Sequence, residues 1–107
     1  MNNEDGGIFQ SFIGKYVICR TINEGVNCGY VKQLDETGVV LDQARRMWYH
    51  DTADDSCWYE GIARNGASED TKLSEKCEKL ICEDYSLTIC SKKSEEILSN
   101  KSSYKKR

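Results

Sequence analysis

Residues 42–50 have the sequence DQARRMWYH, which places two arginines and two large aromatic residues in a segment with β-strand propensity. Side chains alternate between the two faces of an extended strand, so Arg45 and Tyr49 are predicted on one face. Arg46 and Trp48 are predicted on the other. Each face would carry a cation beside an aromatic ring, which suits a ligand with both a base and phosphate groups. The alternative is a core strand whose arginines extend along it to water.

The segments around this strand predict an antiparallel β-meander. Residues 15–21 (KYVICRT) combine β-branched, aromatic and thiol side chains, and residues 28–34 (CGYVKQL) form a returning strand after a turn. A second turn leads to residues 39–41, which either continue or bend into residues 45–50. Consecutive strands joined by short turns pair as antiparallel hairpins.

Two helices are predicted after the meander. Residues 54–65 are expected to form a central helix, because acidic residues precede it and Gly66 follows it. Ser91 is expected to cap a short C-terminal helix over residues 92–98. A polar loop and two further strands are predicted between these helices, over residues 67–74, 79–83 and 85–90.

The length of 107 residues fits a single domain, residues 1–107. Within it, residues 1–14 are an N-terminal segment with a short amphipathic turn, residues 15–98 are the body, and residues 99–107 are a loose basic tail. The predicted fold class is α+β: a small antiparallel β-sheet (meander) with one central and one C-terminal helix. The apolar content of 38% is low, so assembly as an oligomer is expected to bury part of the aromatic surface.

The charge balance argues against binding to polymeric DNA. Fifteen basic and 18 acidic residues give a net charge of −3, whereas proteins that track DNA usually carry a basic stripe. No apolar run approaches the roughly 18 residues needed to cross a bilayer, and the N-terminal sequence lacks the features of a signal peptide. We therefore expect a cytoplasmic protein with no membrane partner.

The six cysteines are predicted to be reduced thiols, because the cytosol disfavours disulfides. Cys19, Cys28 and Cys90 stand among strand-forming residues, where a thiol packs as a small apolar side chain. No CxxC pair exists and His50 is the single histidine, so neither a zinc site nor a cofactor is expected. Nothing in the local sequence marks a cysteine as an activated nucleophile, and no enzymatic activity is predicted.

Several motifs occur in an order that resembles a known family. Residues 20–29 (RTINEGVNCG) are similar to an R-T-x-x-x-G-V-x-x-G strand and turn, and residues 39–49 (VVLDQARRMWY) to a V-V-L-x-x-A-R-R-x-W-Y strand. A helix end with its loop is also similar, at Ile62, Ala63, Gly66 and Lys72. Cys90 and Ser91, which precede an acidic helix, resemble the last strand. Over residues 15–98, the chain thus resembles the phage Thoeris anti-defence proteins of the first type, which act as nucleotide sponges.

That resemblance implies a dimer, or a hexamer built from dimers, in the host bacterial cytoplasm. It implies that the protein captures the signalling nucleotide glycocyclic ADP-ribose without cleaving it. Some members of the family also sequester cyclic oligonucleotides at separate sites in the hexamer. The chain departs from the family pattern at His50, where a further aromatic residue is expected, and in the more acidic sequence of residues 54–66.

The candidate ligand-binding residues combine the strand pattern with this resemblance. Arg46 and Trp48 are favoured, because the face with residues 39, 41, 47 and 49 is more apolar and is expected to be core. Arg45 and Arg46 cannot both serve a pocket on one face of the strand, so either one arginine is structural or a dimer axis brings different copies together. Arg20 could instead pair with Asp42 across strands. The full set of candidates, of which Asn65 and Lys72 could equally be plain surface, is Arg20, Arg45, Arg46, Trp48, Tyr49, Asn65 and Lys72.

Three other functions stay open at this point. A small nuclease or phosphodiesterase would need a metal or a general base, for which residues 51–55 supply acids. A single-stranded nucleic-acid-binding module would use exposed aromatic residues on a sheet. A structural protein would only self-assemble.

Overall fold

The structure, a computed structural model, describes residues 7–49 and 58–104, with Tyr49 described by its main chain alone. Within these ranges the fold is α+β, with an antiparallel sheet of six strands and two α-helices, as predicted. The strands are β1 (Tyr16–Thr21), β2 (Val26–Asp35), β3 (Gly38–Tyr49), β4 (Lys72–Leu73), β5 (Cys77–Ile81) and β6 (Tyr85–Ile89). The helices are α1 (Trp58–Asn65) and α2 (Lys92–Asn100), and a short 3-10 helix (Gly7–Phe12) precedes β1.

The sheet has the strand order β4-β3-β2-β1-β6, and β5 also pairs with β3. Strands β1, β2 and β3 form the predicted meander, and β6 returns to pair with β1 in antiparallel register. β4 was not predicted from the sequence, because its two residues lie in a polar segment and are defined only by pairing with β3.

The sheet is curled, because only residues 82–84 join β5 to β6. These strands lie at opposite ends of the path β5-β3-β2-β1-β6, which in a flat sheet would separate them by ~19 Å. The short connection reaches at most ~14 Å. The carboxylate of Glu83 in this connection accepts the backbone N–H groups of Asn23 and Glu24 at 3.1 and 3.0 Å. It thereby holds the turn between β1 and β2 against the connection.

Each side of the curled sheet carries an apolar cluster. The side facing the helices is called here the helix face, and its cluster includes Tyr16, Ile18, Cys28, Met47, Ile62, Ala63, Leu73, Cys90 and Leu98. The concave side is called the inner face, and its cluster consists of Val17, Cys19, Val31, Val39, Leu41, Ala44 and Ile81. The 3-10 helix contributes Phe12 to the inner cluster, which agrees with the predicted docking of an N-terminal amphipathic turn.

A β-bulge in β3 changes which residues share a face. Asp42 pairs with Tyr30 and Arg45 pairs with Cys28, so β3 has one more residue than β2 over this stretch. Gln43 adopts a positive φ of 53° at the bulge. The extra residue reverses the alternation beyond it.

The predicted common face of residues 39, 41, 47 and 49 is therefore wrong. Val39 and Leu41 belong to the inner cluster, whereas Met47 belongs to the cluster on the helix face. Gly29 makes the bulge possible, since a Cβ there would lie 3.0 Å from both Ala44 Cα and Asp42 O. The alternation within residues 45–48 is as predicted, with Arg45 and Met47 buried and Arg46 and Trp48 exposed.

Both predicted helices are present. α1 ends at Asn65, and Gly66 follows it with a φ of 95° that suits the position after a helix C-terminus. The expected first residues of this helix, 54–57, lie outside the described ranges. Ser91 caps α2 by accepting the N–H of Ser94 at 3.1 Å, as predicted. α2 continues to Asn100, so residues 99 and 100, expected in a loose tail, form its last turn.

No helix in the described part of the chain is both long enough and apolar enough to cross a membrane. The expected oligomer stays a prediction.

Candidate functional site

Arg45 is almost completely buried, with 1% of its surface exposed. Its Nε donates to the carbonyl of Ser74 at 2.9 Å, its Nη1 to the carbonyl of Leu98 at 2.7 Å, and its Nη2 to the hydroxyl of Ser103 at 3.3 Å. Leu98 lies in the last turn of α2, where carbonyl groups lack helical partners and a cation is favourable. Arg45 thus links β3, the end of α2 and the chain that follows.

Arg46 projects from the opposite side of β3, towards the inner face, and is exposed. Its guanidinium lies against Gly25, where an added Cβ would be 3.0 Å from Arg46 Nη2. Gly25 has a φ of 72°, a conformation that favours glycine, so both the turn and the approach of the guanidinium require this residue. Within residues 7–49 and 58–104, the Arg46 side chain has no hydrogen bond or ion pair.

Trp48 and Tyr104 form an exposed pair of rings next to Arg46. The ring centroids are 5.6 Å apart at an interplanar angle of 84°, and the exposed fractions are 48% and 46%. Lys72 Nζ lies 5.3 Å from the centroid of the Tyr104 ring. The N–H of Tyr104 donates to the carbonyl of Leu73 in β4 at 2.8 Å, which holds this part of the chain beside the sheet. Arg46, Trp48, Lys72 and Tyr104 are together called the aromatic site.

The other predicted site residues lie elsewhere. Arg20 is on the helix face, with its guanidinium carbon 4.2 Å above the centroid of the Tyr59 ring in α1. Its predicted cross-strand pairing with Asp42 is not seen, because Arg20 pairs with Val26 and Asp42 with Tyr30. The other two candidates are located here only by their position in the chain. Asn65 is the last residue of α1, and Tyr49 is the last residue of β3, with its side chain outside the described part.

Of the seven candidates, Trp48 and Lys72 both contact the Tyr104 ring. Arg46 lies two residues from Trp48 on the same face of β3, with its guanidinium directed towards Gly25. Residues 14–98 match a family model described as a domain of unknown function (DUF6948). The chain belongs to this family. No curated protein and no solved structure matches it.

The DUF6948 domain includes every strand, α1 and most of α2. It contains Arg46, Trp48 and Lys72 but ends before Tyr104. One aromatic ring of the site is thus supplied by the chain that follows the family domain.

Sequence reasoning missed Tyr104, because residues 99–107 are polar and serine-rich and were expected to be loose. Its position depends on contacts distant in the sequence, with Leu73 directly and with Arg45 through Ser103. A tyrosine within an otherwise polar tail is the signal that could have indicated a docked segment.

The thiols that were predicted to be buried are buried: Cys19, Cys28 and Cys90 are free and lie in the core. Burial raises the pKa of Cys19 and Cys28 to about 11 and that of Cys90 to about 12. These three thiols stay protonated at neutral pH, which makes them poor nucleophiles. In the ranges that the structure describes, no group of three or more His, Cys, Asp or Glu side chains is placed to hold a metal ion.

Proposed function

We propose that the protein is a non-catalytic binding protein that sequesters a small nucleotide in the bacterial cytoplasm. The observation that carries this proposal is the exposed Trp48–Tyr104 ring pair, with Lys72 against Tyr104 and with Arg46, which has no side-chain partner among the described residues, on the same strand face as Trp48. Exposed rings can stack on a base, and neighbouring cations can bind its phosphates.

The proposed ligand is a cyclic nucleotide immune signal such as glycocyclic ADP-ribose, and binding it would block antiphage defence. This choice of ligand rests on the resemblance of residues 20–29 and 39–49 to the Thoeris anti-defence proteins. Such a ligand contains both an adenine base and a pyrophosphate. It therefore needs the two kinds of contact that the aromatic site combines.

Both kinds of contact would contribute to the affinity for such a ligand. Stacking contributes roughly 1–3 kcal/mol per base on an aromatic ring, and a hydrogen bond from a cation roughly 1.5–3 kcal/mol. Because Tyr104 and Trp48 are already held in place, little ordering of the protein would oppose these gains. The core thiols of Cys28 and Cys90, which stay protonated at neutral pH, offer no activated nucleophile.

The test uses tryptophan fluorescence. The chain has two tryptophans, and Trp58 is exposed at the start of α1, so Trp58→Phe leaves Trp48 as the single tryptophan, whose emission can be excited selectively over that of the tyrosines. Titration of this variant with glycocyclic ADP-ribose should quench the emission, because the base stacks on Trp48. Trp48→Phe, which keeps Trp58, should bind the ligand without this quenching signal.

Heating the complex should release the ligand intact, as measured by mass spectrometry. Recovery of a cleaved product would make the protein an enzyme. Absence of binding to glycocyclic ADP-ribose, cyclic ADP-ribose and ADP-ribose would overturn the proposal. Binding to oligonucleotides with an affinity that falls steeply with salt would favour the single-stranded nucleic-acid alternative.

A further inference from the structure

A second polar group lies beside Arg46 at the same end of the inner face. Lys79 in β5 is opposite Leu41, and its Nζ donates to Asn27 Oδ1 at 2.9 Å. Asn27 in β2 is opposite Arg46, which places both cations next to one amide side chain. Glu24 completes the group, with its carboxylate 3.8 Å from Lys79 Nζ. Arg46, Lys79, Asn27 and Glu24 are together called the Lys79 site.

The position of Lys79 is fixed by the protein rather than by solvent. Asn27 is fully buried, and its Nδ2 donates to the carbonyl of Glu24 at 3.3 Å, so its Oδ1 is turned towards Lys79. The Lys79 side chain is only 25% exposed. It crosses the inner face closely enough to oppose the rise in the pKa of Cys19, a β1 residue. A long, flexible side chain is thus held in one direction before any ligand arrives.

Two carboxylates lie near the Lys79 site, and they are held differently. Glu83 accepts the backbone N–H groups of Asn23 and Glu24 at 3.1 and 3.0 Å, whereas Glu24 is the carboxylate paired with Lys79. The Glu24 carboxylate is half-exposed and lies at the long distance of 3.8 Å from Lys79 Nζ. Exposed pairs of this kind contribute little to stability. Glu24 is therefore a weak counter-ion that a more highly charged anion can replace.

We infer that Arg46 and Lys79 bind a phosphate or pyrophosphate group of the ligand, next to the ligand's base, which stacks on Trp48. Asn27 acts as a positioning residue that holds Lys79 Nζ, and Glu24 competes with the ligand for Lys79. This inference rests on the proposed nucleotide-binding function and adds a phosphate subsite to it. Trp48 follows Arg46 by two residues on the same face of β3, so base and phosphate would lie side by side.

The first test compares ligands that differ in phosphate content. Adenosine, AMP, ADP and ADP-ribose are titrated by calorimetry into the wild-type protein, Lys79→Gln and a control, Lys32→Gln. Lys32 is an exposed lysine of β2 whose partner is Glu78. We expect Lys79→Gln to lower the affinity for ADP and ADP-ribose by about tenfold or more. The affinity for adenosine should not change. Lys32→Gln should leave all four affinities unchanged.

Equal losses for adenosine and ADP-ribose in Lys79→Gln would overturn the phosphate subsite, since they would indicate general damage to the fold. A second variant, Glu24→Gln, changes affinity in the opposite direction. Removing the competing carboxylate should raise the affinity for ADP-ribose by about two- to fivefold. A lower or unchanged affinity in Glu24→Gln contradicts the competition with Lys79.

A third measurement separates this inference from the proposed function. Pyrophosphate is titrated into ¹⁵N-labelled protein, and the side-chain amide signals of Asn27 are followed by NMR. If pyrophosphate shifts the Asn27 signals but no nucleotide binds, the phosphate subsite is supported and the proposed nucleotide-binding function is overturned. The opposite result is nucleotide binding that does not shift the Asn27 signals and that has the same affinity in Lys79→Gln as in the wild-type protein. It would support the proposed nucleotide binding and overturn the phosphate subsite.

Discussion

Strand β3 presents two arginine regions side by side. On the helix face, Arg45 is buried, and each of its three guanidinium nitrogens donates a hydrogen bond to a protein oxygen. On the inner face, Arg46 is exposed, lies on Gly25 and has no partner in the described part of the chain. A buried charge must be compensated within the fold, whereas an uncompensated exposed charge beside aromatic rings is available to a ligand. Identical, adjacent residues thus divide into one with a structural role and one with a proposed binding role.

The largest expected effect concerns Arg45. Arg45→Met keeps an apolar stem but leaves the carbonyls of Ser74 and Leu98 without their donor. We expect the free energy of unfolding to fall by about 3 kcal/mol in urea denaturation. The matched variant Arg46→Met should change it by less than about 0.5 kcal/mol. Equal stability of the two variants would remove the distinction between the two regions.

The second prediction concerns the pH dependence of stability that arises from the Cys28 thiol on the helix face. The pKa of Cys28 rises from its ordinary value of 9.0 to about 11 in the folded protein, because burial disfavours the thiolate. Above pH 9 the unfolded state therefore binds fewer protons than the folded state, and stability decreases as pH rises. We expect a loss of about 1 kcal/mol for each pH unit between 9 and 11 from this thiol.

Urea denaturation at a series of pH values measures this slope, and Cys28→Ala provides the control. The variant loses packing at every pH, but its stability should decrease less steeply above pH 9. An unchanged slope in Cys28→Ala would show that this thiol does not carry the effect.

The third prediction concerns ligand affinity on the inner face. Arg46→Ala should lower the affinity for glycocyclic ADP-ribose by about tenfold or more, with little change in the free energy of unfolding. Arg64→Ala is the matched control, because Arg64 is an exposed arginine of α1 on the other side of the sheet. A similar affinity in Arg46→Ala and the wild-type protein would place the ligand away from the aromatic site.

The smallest expected effect connects the two regions. Tyr104 follows Ser103, which accepts a hydrogen bond from Arg45, and its ring contacts Trp48. Tyr104→Ala should lower the affinity about fivefold by removing one ring of the pair. Tyr104→Phe keeps the ring and should bind as the wild-type protein does. Full affinity of Tyr104→Ala in calorimetry would leave Trp48 as the sole stacking residue.

Much of the fold could be predicted because its signals are local. Strand propensity and turn residues located β1, β2 and the start of β3, and Gly66 and Ser91 marked helix boundaries by their capping chemistry. Within the candidate site, alternation separated Arg45 from Arg46 correctly. The bulge at Gln43 could not be predicted, since it depends on how β3 meets Gly29 of another strand.

The sequence by itself determined that Arg45 and Arg46 face opposite sides of one short strand, because alternation follows from the backbone alone. Only the tertiary structure decided which side is buried. That choice depends on acceptors 29, 53 and 58 residues away from Arg45, in Ser74, Leu98 and Ser103. Propensity and periodicity act over a few neighbouring residues, so contacts at such separations exist only once the chain has folded.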